Sequence, residues 1–425
     1  MSMRKICLIL FFISIFFTAS YPQSYSDTDI VSVDRTPEIM KKLQANGFDI
    51  LMVKGGKIYV VCTIKELLRL QEEGIPFTVE TANFYPFREK ELAVKGGING
   101  DYHSYSELEG ELMALESTYP QLAKVFDIGD SLENRNIYAL KISDNVSVDE
   151  LEAEVFFCGN HHAREWITVE VPFLLGKYLV ENYERSPQIK KLVDTSEIWI
   201  VPLVNPDGLE YSIHVYRYWR KNRRNNGDGS YGVDLNRNYG YQWGCDNRGS
   251  SPDPSSGVYR GPVPFSEPES QAIRNLFLQK DFQAMVTYHN YSQVILYPWG
   301  YTTVPADKVA LMRGIAAQMS QLIQNIQGNV YEYGQSGADL YLTNGDTTDW
   351  TFGIFGIPSY TIELPPVDVP HGGFFNAEED IITIFEENLP AALYLIEWAI
   401  QNFNPGEIFR QEKTRALKRP WKPKK

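Results

Sequence analysis

Four side chains in this chain are of types that could carry out hydrolysis together. His162 and Glu165 follow the apolar, β-rich run Val155-Phe156-Phe157-Cys158, inside the segment Gly159-Asn160-His161-His162-Ala163-Arg164-Glu165-Trp166. Three residues apart at the end of a strand, an imidazole and a carboxylate can turn toward one point. Two ligands are an incomplete set. A catalytic zinc site takes three protein ligands, such as two His and one Glu, and leaves one position open for water. The third candidate is His289, which ends the strand-like Ala284-Met285-Val286-Thr287-Tyr288. Only six His are present, so they cannot be spread widely. Glu363 lies near the end of a further strand-like run, Ser359 to Leu364.

The elements that must position these residues alternate in type from about Asn99 onward. Helical spacing covers Ser106 to Tyr119, Thr168 to Tyr183, Ala306 to Ile326 and Glu378 to Phe403. Strand patterns cover Ile137 to Ile142, Glu154 to Cys158, Glu197 to Val204, Phe282 to Tyr288, Val294 to Tyr297 and Ser359 to Leu364. Such alternation predicts an α/β fold, a mixed, largely parallel central sheet with helices on both faces. Open α/β sheets bind ligands outside the carboxyl ends of their strands. Three chemically potent residues at three strand ends therefore fit one crevice. The stretch from Asn205 to Ser270, rich in Asn, Gly, Ser, Pro, Arg and Tyr, reads as long loops, which are uncommon unless they build a site.

Before this region, residues 21–98 read as a small α+β pro-segment with its linker. Pro37 to Gln44 and Ile64 to Glu72 are helical. Two strands flank Lys54-Gly55-Gly56-Lys57 between Phe48 and Thr63, and Ile75 to Glu80 is strand-like. The polar stretch containing Pro86, Arg88, Glu89, Lys90, Lys95, Gly96 and Gly97 is a plausible protease target. A permanent accessory domain is the alternative. Residues 1–20 read as a signal peptide: Arg4 and Lys5, the apolar run Ile6 to Phe17, then small Thr18-Ala19-Ser20. No later segment approaches transmembrane length. The expected location is secreted or periplasmic, with no stable membrane insertion once the signal is removed. The formal charge of −14 argues against a nucleic-acid partner. Residues 405–425 form a basic tail without apolar periodicity. From position 410 on it carries Arg410, Lys413, Arg415, Lys418, Arg419, Lys422, Lys424 and Lys425 against Glu412. Cys7 leaves with the signal, so Cys62, Cys158 and Cys245 form no disulfide framework.

Residues 99–404 resemble a zinc metallocarboxypeptidase of the carboxypeptidase A/B type. The resemblance rests on Tyr102-His103-Ser104-Tyr105, His162-Ala163-Arg164-Glu165-Trp166, Asn205-Pro206-Asp207-Gly208, Trp219-Arg220-Lys221 and Val233-Asp234-Leu235-Asn236-Arg237-Asn238. It continues through His289-Asn290-Tyr291-Ser292-Gln293, Tyr341, Asp349-Trp350 and Thr361-Ile362-Glu363-Leu364. Each motif is weak alone; their joint order is specific. The resemblance implies a zinc-dependent exopeptidase that removes C-terminal residues from peptides and proteins, made as a precursor that an activating protease opens.

The resemblance also implies roles. His162, Glu165 and His289 would hold one Zn2+, the family's established ligand set. Glu363 would be the general base, and Arg220 would stabilise the oxyanion. Asp234 would orient a zinc-ligand His. Asn236 and Arg237 would read the substrate carboxylate, for which an Arg fork is suited. Tyr341 would close over the bound end, and Arg164 would line the approach. Thr348 occupies the pocket floor that sets terminal-residue preference. Asp346, two residues earlier, could reach the same pocket and attract a basic side chain, while Gly300 leaves space. The expectation is broad specificity: neutral and hydrophobic ends, and basic ends through Asp346. His161 is read as a polar loop residue, because neighbours on an extended chain point oppositely. His103, His214 and His371 receive no role.

The chain departs from the family pattern at Asn290, where Ser is commoner, and at Pro365, where many relatives have Arg. Two other readings compete: an amidase or dipeptidase of cell-wall peptides, and a non-catalytic zinc or peptide-binding module. The second is disfavoured because all three ligands, the base and Arg220 are present.

Overall fold

A computed structural model describes residues 28–81, 99–368 and 371–404. The expected signal peptide, most of the linker and the basic tail lie outside the described residues.

The first body is small. Its order is β1 (Thr28–Asp34), α1 (Pro37–Ala45), β2 (Asp49–Lys54), β3 (Lys57–Thr63), α2 (Ile64–Glu72) and β4 (Phe77–Thr81). The strands pair in the order β2-β3-β1-β4, all antiparallel. Strand β3 alternates, with Ile58, Val60 and Cys62 buried and their neighbours half-buried. Thr36 caps α1 ahead of Pro37, and Thr63 with Glu66 forms a capping box on α2. Gly55 and Gly56, at φ 57° and 77°, make the β2–β3 turn that L side chains rarely adopt. Leu43 and Leu70 pack with Val31, Ile50, Ile58 and Val60 into a core of its own.

The large body carries an eight-stranded sheet in the order β11-β10-β12-β9-β7-β8-β6-β5. Its strands are β5 (Ala123–Asp130), β6 (Asn136–Ile142), β7 (Ala153–Gly159), β8 (Ser196–Val201), β9 (Phe282–Asn290), β10 (Val294–Tyr297), β11 (Glu332–Gln335) and β12 (Ser359–Leu364). The four central strands β12, β9, β7 and β8 are mutually parallel. Every residue of β7 and β8 is buried, as parallel strands covered on both faces require. Alternation along β7 divides the core in two. Val155 and Phe157 pack with α3 (Tyr105–Thr118), α4 (Ile167–Asn182), α5 (Pro187–Val193), α8 (Val309–Gln327) and α10 (Asp380–Asn402). Phe156 and Cys158 pack on the other face with α7 (Pro268–Gln279) and α9 (Thr347–Phe355). The remaining helix, α6 (Pro206–His214), follows β8. The architecture is the mixed α/β sheet with helices on both faces and a preceding α+β unit.

The structure adds elements that sequence patterning did not show. Strand β5 lies at the sheet edge, and its mostly half-buried residues lack a clean two-residue period. Helix α9 buries seven of its nine residues, so it has no polar face to reveal a helical repeat. The long polar stretch after Asn205 contains α6, the start of α7 and a short 3-10 turn, Leu235–Arg237.

Candidate metal centre and active site

Strand β7 stops at Gly159, whose lack of a side chain is obligatory: a Cβ there would meet the Thr168 carbonyl at 1.8 Å. Asn160 follows in the left-handed region at φ 54°, which Asn tolerates better than most residues. Its amide donates to the carbonyls of His162 and Glu165, each at 3.3 Å. Thr168 Oγ1 donates to the Glu165 carbonyl at 2.6 Å. These bonds brace the turn that presents both side chains. The neighbouring parallel strand β9 brings in His289, and β12 sets Glu363 directly beside His289 in register.

The three expected ligands meet. His162 Nδ1 lies 2.8 Å from Glu165 Oε1, His289 Nδ1 lies 3.0 Å from Glu165 Oε2, and the two Nδ1 atoms are 3.1 Å apart. All three side chains are buried. Bonds of 2.0–2.2 Å at tetrahedral angles would place such ligand atoms about 3.3 Å from one another. The donor set and spacing therefore fit one zinc ion.

The far nitrogens of both rings are also held. His162 Nε2 faces Asp234 Oδ1 at 3.2 Å, the carboxylate–histidine arrangement that orients a metal ligand. Asp234 Oδ2 accepts two bonds from Arg220, from Nε at 3.1 Å and from Nη2 at 2.9 Å. Burial alone would raise the Asp234 pKa; Arg220 and then His162 outweigh it and hold it well below its ordinary value. His289 Nε2 lies 3.2 Å from Thr287 Oγ1 and 3.4 Å from Asn236 Nδ2. The carboxyl of Glu363 is pushed well above its ordinary value, by burial first and the Glu165 charge second, against Arg220, Arg237 and Arg164.

Arg237 is fixed by its own neighbours, donating from Nε to the Gly249 carbonyl at 2.8 Å and from Nη1 to the Asn236 carbonyl at 2.7 Å. Asn236 Oδ1 accepts from the Thr347 amide and hydroxyl, both at 2.9 Å. Asp346 caps α9: its carboxylate accepts from the Asp349 amide at 2.8 Å, Thr348 Oγ1 at 3.0 Å and Thr343 Oγ1 at 2.5 Å. It lies beside Gly300, whose added Cβ would meet Thr343 Oγ1 and Asp346 Oδ2. The lone pairs of Asp346 serve the helix cap. All three donors are neutral, so its charge is not paired by them.

The structure adds partners for two of the remaining histidines. His161 lies in the loop after β7, as expected, but it is not a solvent-facing residue. It is fully buried, with Nε2 2.9 Å from the Tyr239 hydroxyl and its ring stacked 5.7 Å from that of His289. Burial, then the neighbouring His289, lowers its pKa well below the usual value. His103 also has a partner: its backbone N and Nδ1 meet the Glu170 carboxylate at 2.9 and 2.7 Å. The two departures from the family pattern prove to be neighbours. Asn290 Nδ2 donates to the Pro365 carbonyl at 3.2 Å and to Asn376 Oδ1 at 3.1 Å.

One site residue had no signal in sequence. Asp49, at the start of β2, pairs with both terminal nitrogens of Arg164 at 2.6 and 3.0 Å and lies 3.9 Å from Arg220 Nη1. Arg164 also stacks on Phe374, 4.1 Å from the ring centroid. Tyr341 packs against the core of the small body. Between Gln44, Phe48 and Ile50 on one side and Arg220, Arg237 and Tyr341 on the other, a cavity of only about 20 Å³ remains.

Fold and donor set together define a metallohydrolase built at the carboxyl ends of an open α/β sheet. Residues 108–391 match the family described as zinc carboxypeptidase. The chain is 33% identical over 377 residues to a zinc carboxypeptidase of Saccharothrix mutabilis subsp. capreolus, covering 83% of this chain and 84% of that protein. It is 34% identical over 291 residues to carboxypeptidase B of Astacus astacus, covering 67% of this chain and 93% of that protein. The solved structure of carboxypeptidase A from Helicoverpa armigera superposes with a TM-score of 0.78 at 26% identity, over 89% of this chain and 98% of that one. The chain belongs to the zinc carboxypeptidase family: it is a zinc-dependent metallocarboxypeptidase that hydrolyses the C-terminal peptide bond of peptides and proteins.

Proposed function

We propose that the chain is an exported precursor, in which His162, Glu165 and His289 hold the zinc, Glu363 and Arg220 act on the scissile bond, and the body at 28–81 blocks the cleft until it is removed. The convergence of the three ligand atoms, with Glu363 in register beside His289, carries this reading. Bound zinc supplies a Lewis acid that lowers the pKa of water and polarises the carbonyl. Glu363 takes the proton of the attacking water and returns it to the leaving amine. Arg220, anchored on Asp234, offers a fixed cation where the oxyanion develops. Asn236 and the braced fork of Arg237 bind the free carboxylate, and Tyr341 closes over it once the small body has gone.

The blockade is supported by contact. Asp49 neutralises Arg164, Gln44 Nε2 donates to the Leu342 carbonyl at 3.4 Å, and Ser256 Oγ donates to the Gly47 carbonyl at 2.6 Å. The cavity of about 20 Å³ between Gln44, Phe48 and Ile50 and the side chains of Arg220, Arg237 and Tyr341 has room for about one water molecule. Cleavage within 82–98 by an activating protease would release the block. Export follows from the N-terminal pattern. Among the described residues, no helix is long and apolar enough to cross a membrane.

We assign broad specificity to the pocket of Gly300, Thr343, Asp346 and Thr348. Neutral and hydrophobic ends fit the small neutral wall, and basic ends meet the charge of Asp346. The test is metal content together with release of terminal residues from hippuryl-Phe and hippuryl-Arg, before and after cutting within 82–98. One zinc per chain and release of both residues, rising sharply after the cut, is expected. Full activity in the uncut chain would overturn the precursor reading. An Arg-to-Phe ratio unchanged in Asp346→Ala would remove the role of that acid.

A further inference from the structure

A groove lies at the opposite end of the sheet from the zinc centre. Its volume is about 470 Å³, and its lining includes Glu154, Phe282 and Ile357, at or just before the starts of β7, β9 and β12. Part of its wall is apolar and accessible: Leu151 is 79% exposed and Leu311 42%, and Trp398 is half-buried. The opposite wall is acidic, with Asp149, Glu150, Glu152, Glu154 and Asp281. The cations nearby are already engaged. Lys280 pairs with Asp149, Glu154 and Glu197, and Lys308 donates to the Gly356 carbonyl. Glu150 and Glu152 stand with Asp144 in a group whose oxygens lie within 4.8 Å of one another. One buried oxygen of Glu152 has no hydrogen-bond partner. Burial first, then the Glu150 and Asp144 charges, pushes the Glu152 pKa up to about 7, against a lesser pull from Lys141.

The chain itself supplies opposite charge. Phe403 and Asn404 line this groove, and the next residues are the basic segment. That segment opens with an apolar pair, Ile408-Phe409, followed by Arg410 and Lys413. Nine extended residues span up to about 30 Å, so Lys413 can reach any point of the groove. Tethering gives a segment this close an effective concentration on the order of millimolar, so individually weak contacts suffice.

We propose that residues 405–425 dock into this groove, with Ile408 and Phe409 on Leu151, Leu311 and Trp398, and Arg410 and Lys413 against Glu150 and Glu152. The contact is independent of the peptidase site and closes the end of the sheet remote from it. Opposite charges meet at Glu150 and Glu152, and the apolar pair covers side chains otherwise left in water.

The test uses the full chain at low micromolar concentration. A carbodiimide couples neighbouring Lys and carboxylate groups without a spacer, and mass spectrometry maps the links. Expected are links from Lys413 or Lys418 to Glu150 or Glu152 within single chains, lost in about 0.5 M salt, where exposed ion pairs are screened. In the same sample, trypsin should cut after Arg410 at least about fivefold more slowly than in the double variant Ile408→Asp, Phe409→Asp, because cleavage tracks the undocked population. The proposal is overturned if those lysines couple to Glu150 and Glu152 no more often than to the exposed, remote Glu133. Links found only in covalent dimers would overturn it too, making a second copy the occupant. Equal trypsin rates in wild type and variant would do the same.

Discussion

Replacing Asp49 by Ala should unlock the precursor without cutting it. Both Asp49 oxygens are used, each accepting from one Arg164 nitrogen at 2.6 and 3.0 Å. The Arg164 side chain is 2% exposed and that of Asp49 10%, so the pair is shielded from water. Breaking such a buried pair costs about 3–5 kcal/mol when the remaining charge stays buried. Here the small body can lift and let water reach Arg164, which recovers part of that penalty. A net loss of about 2–3 kcal/mol in docking remains, or roughly 30- to 150-fold in the closed-to-open ratio. Activity of the uncut precursor on hippuryl-Phe should rise by that factor, up to the level of the cut enzyme. The cut enzyme itself should be unaffected, since Asp49 is absent from it. Uncut Asp49→Ala with wild-type basal activity would refute the idea that this pair holds the cleft shut.

The same pair fixes a pH dependence. Burial would raise the Asp49 pKa, but Arg164 and then Arg220 hold it below its ordinary value. A depressed pKa stabilises docking above the undocked value, about 3.9, and the contribution is lost as pH falls through the docked one. A precursor nicked within 82–98 should therefore stay associated on gel filtration at neutral pH and separate in strong acid. Separation that is greater at pH 8 than in acid would contradict the sign.

Other expectations follow from single contacts. Glu363→Gln should lower kcat by about two to four orders of magnitude while zinc content, read by atomic absorption, stays at one per chain. Asp234→Asn removes the charge facing His162 Nε2 and Arg220 together, so chelator titration should show about 10–100-fold weaker zinc binding, and kcat should also fall. For His103, burial lowers the pKa but the Glu170 carboxylate raises it to a net upward shift. That pair stabilises the fold below the unfolded His value of about 6.5 and is lost as pH rises through the folded one. His103→Ala should therefore lower Tm by a few degrees at pH 5.5, for about 1 kcal/mol, and by less at pH 9.

The elements legible in the sequence were those with one dominant pattern. β3, β10 and β12 show strand composition between clear breaks, and α2 opens on Thr63 with Glu66 three residues on. The elements that escaped lack such a pattern for physical reasons. β5 is an edge strand facing partial solvent, and α9 is enclosed on all sides. The polar loops between Asn205 and Ser270 are ordered by side chains more than by repeats. Asn238 alone donates to the Arg260 and Val263 carbonyls and to Ser266 Oγ. No periodicity records a bond of that kind.

The site divides along the same line. His162, Glu165, His289 and Glu363 were visible because strand ends and residue chemistry are local properties, and the parallel register then brings them together. Asp49 and its bond to Arg164 join residues 115 positions apart across two bodies. Nothing near Asp49 distinguishes it from the other acids of a chain with net charge −14. The reading of Asp346 was incomplete for a related reason. A carboxylate ahead of Thr347-Thr348-Asp349 is as much a helix cap as a specificity group, and the structure shows the capping bonds made. Whether its charge also selects basic ends depends on what enters the pocket. That is why the Arg-to-Phe ratio in Asp346→Ala, rather than any further geometry, decides between the two roles.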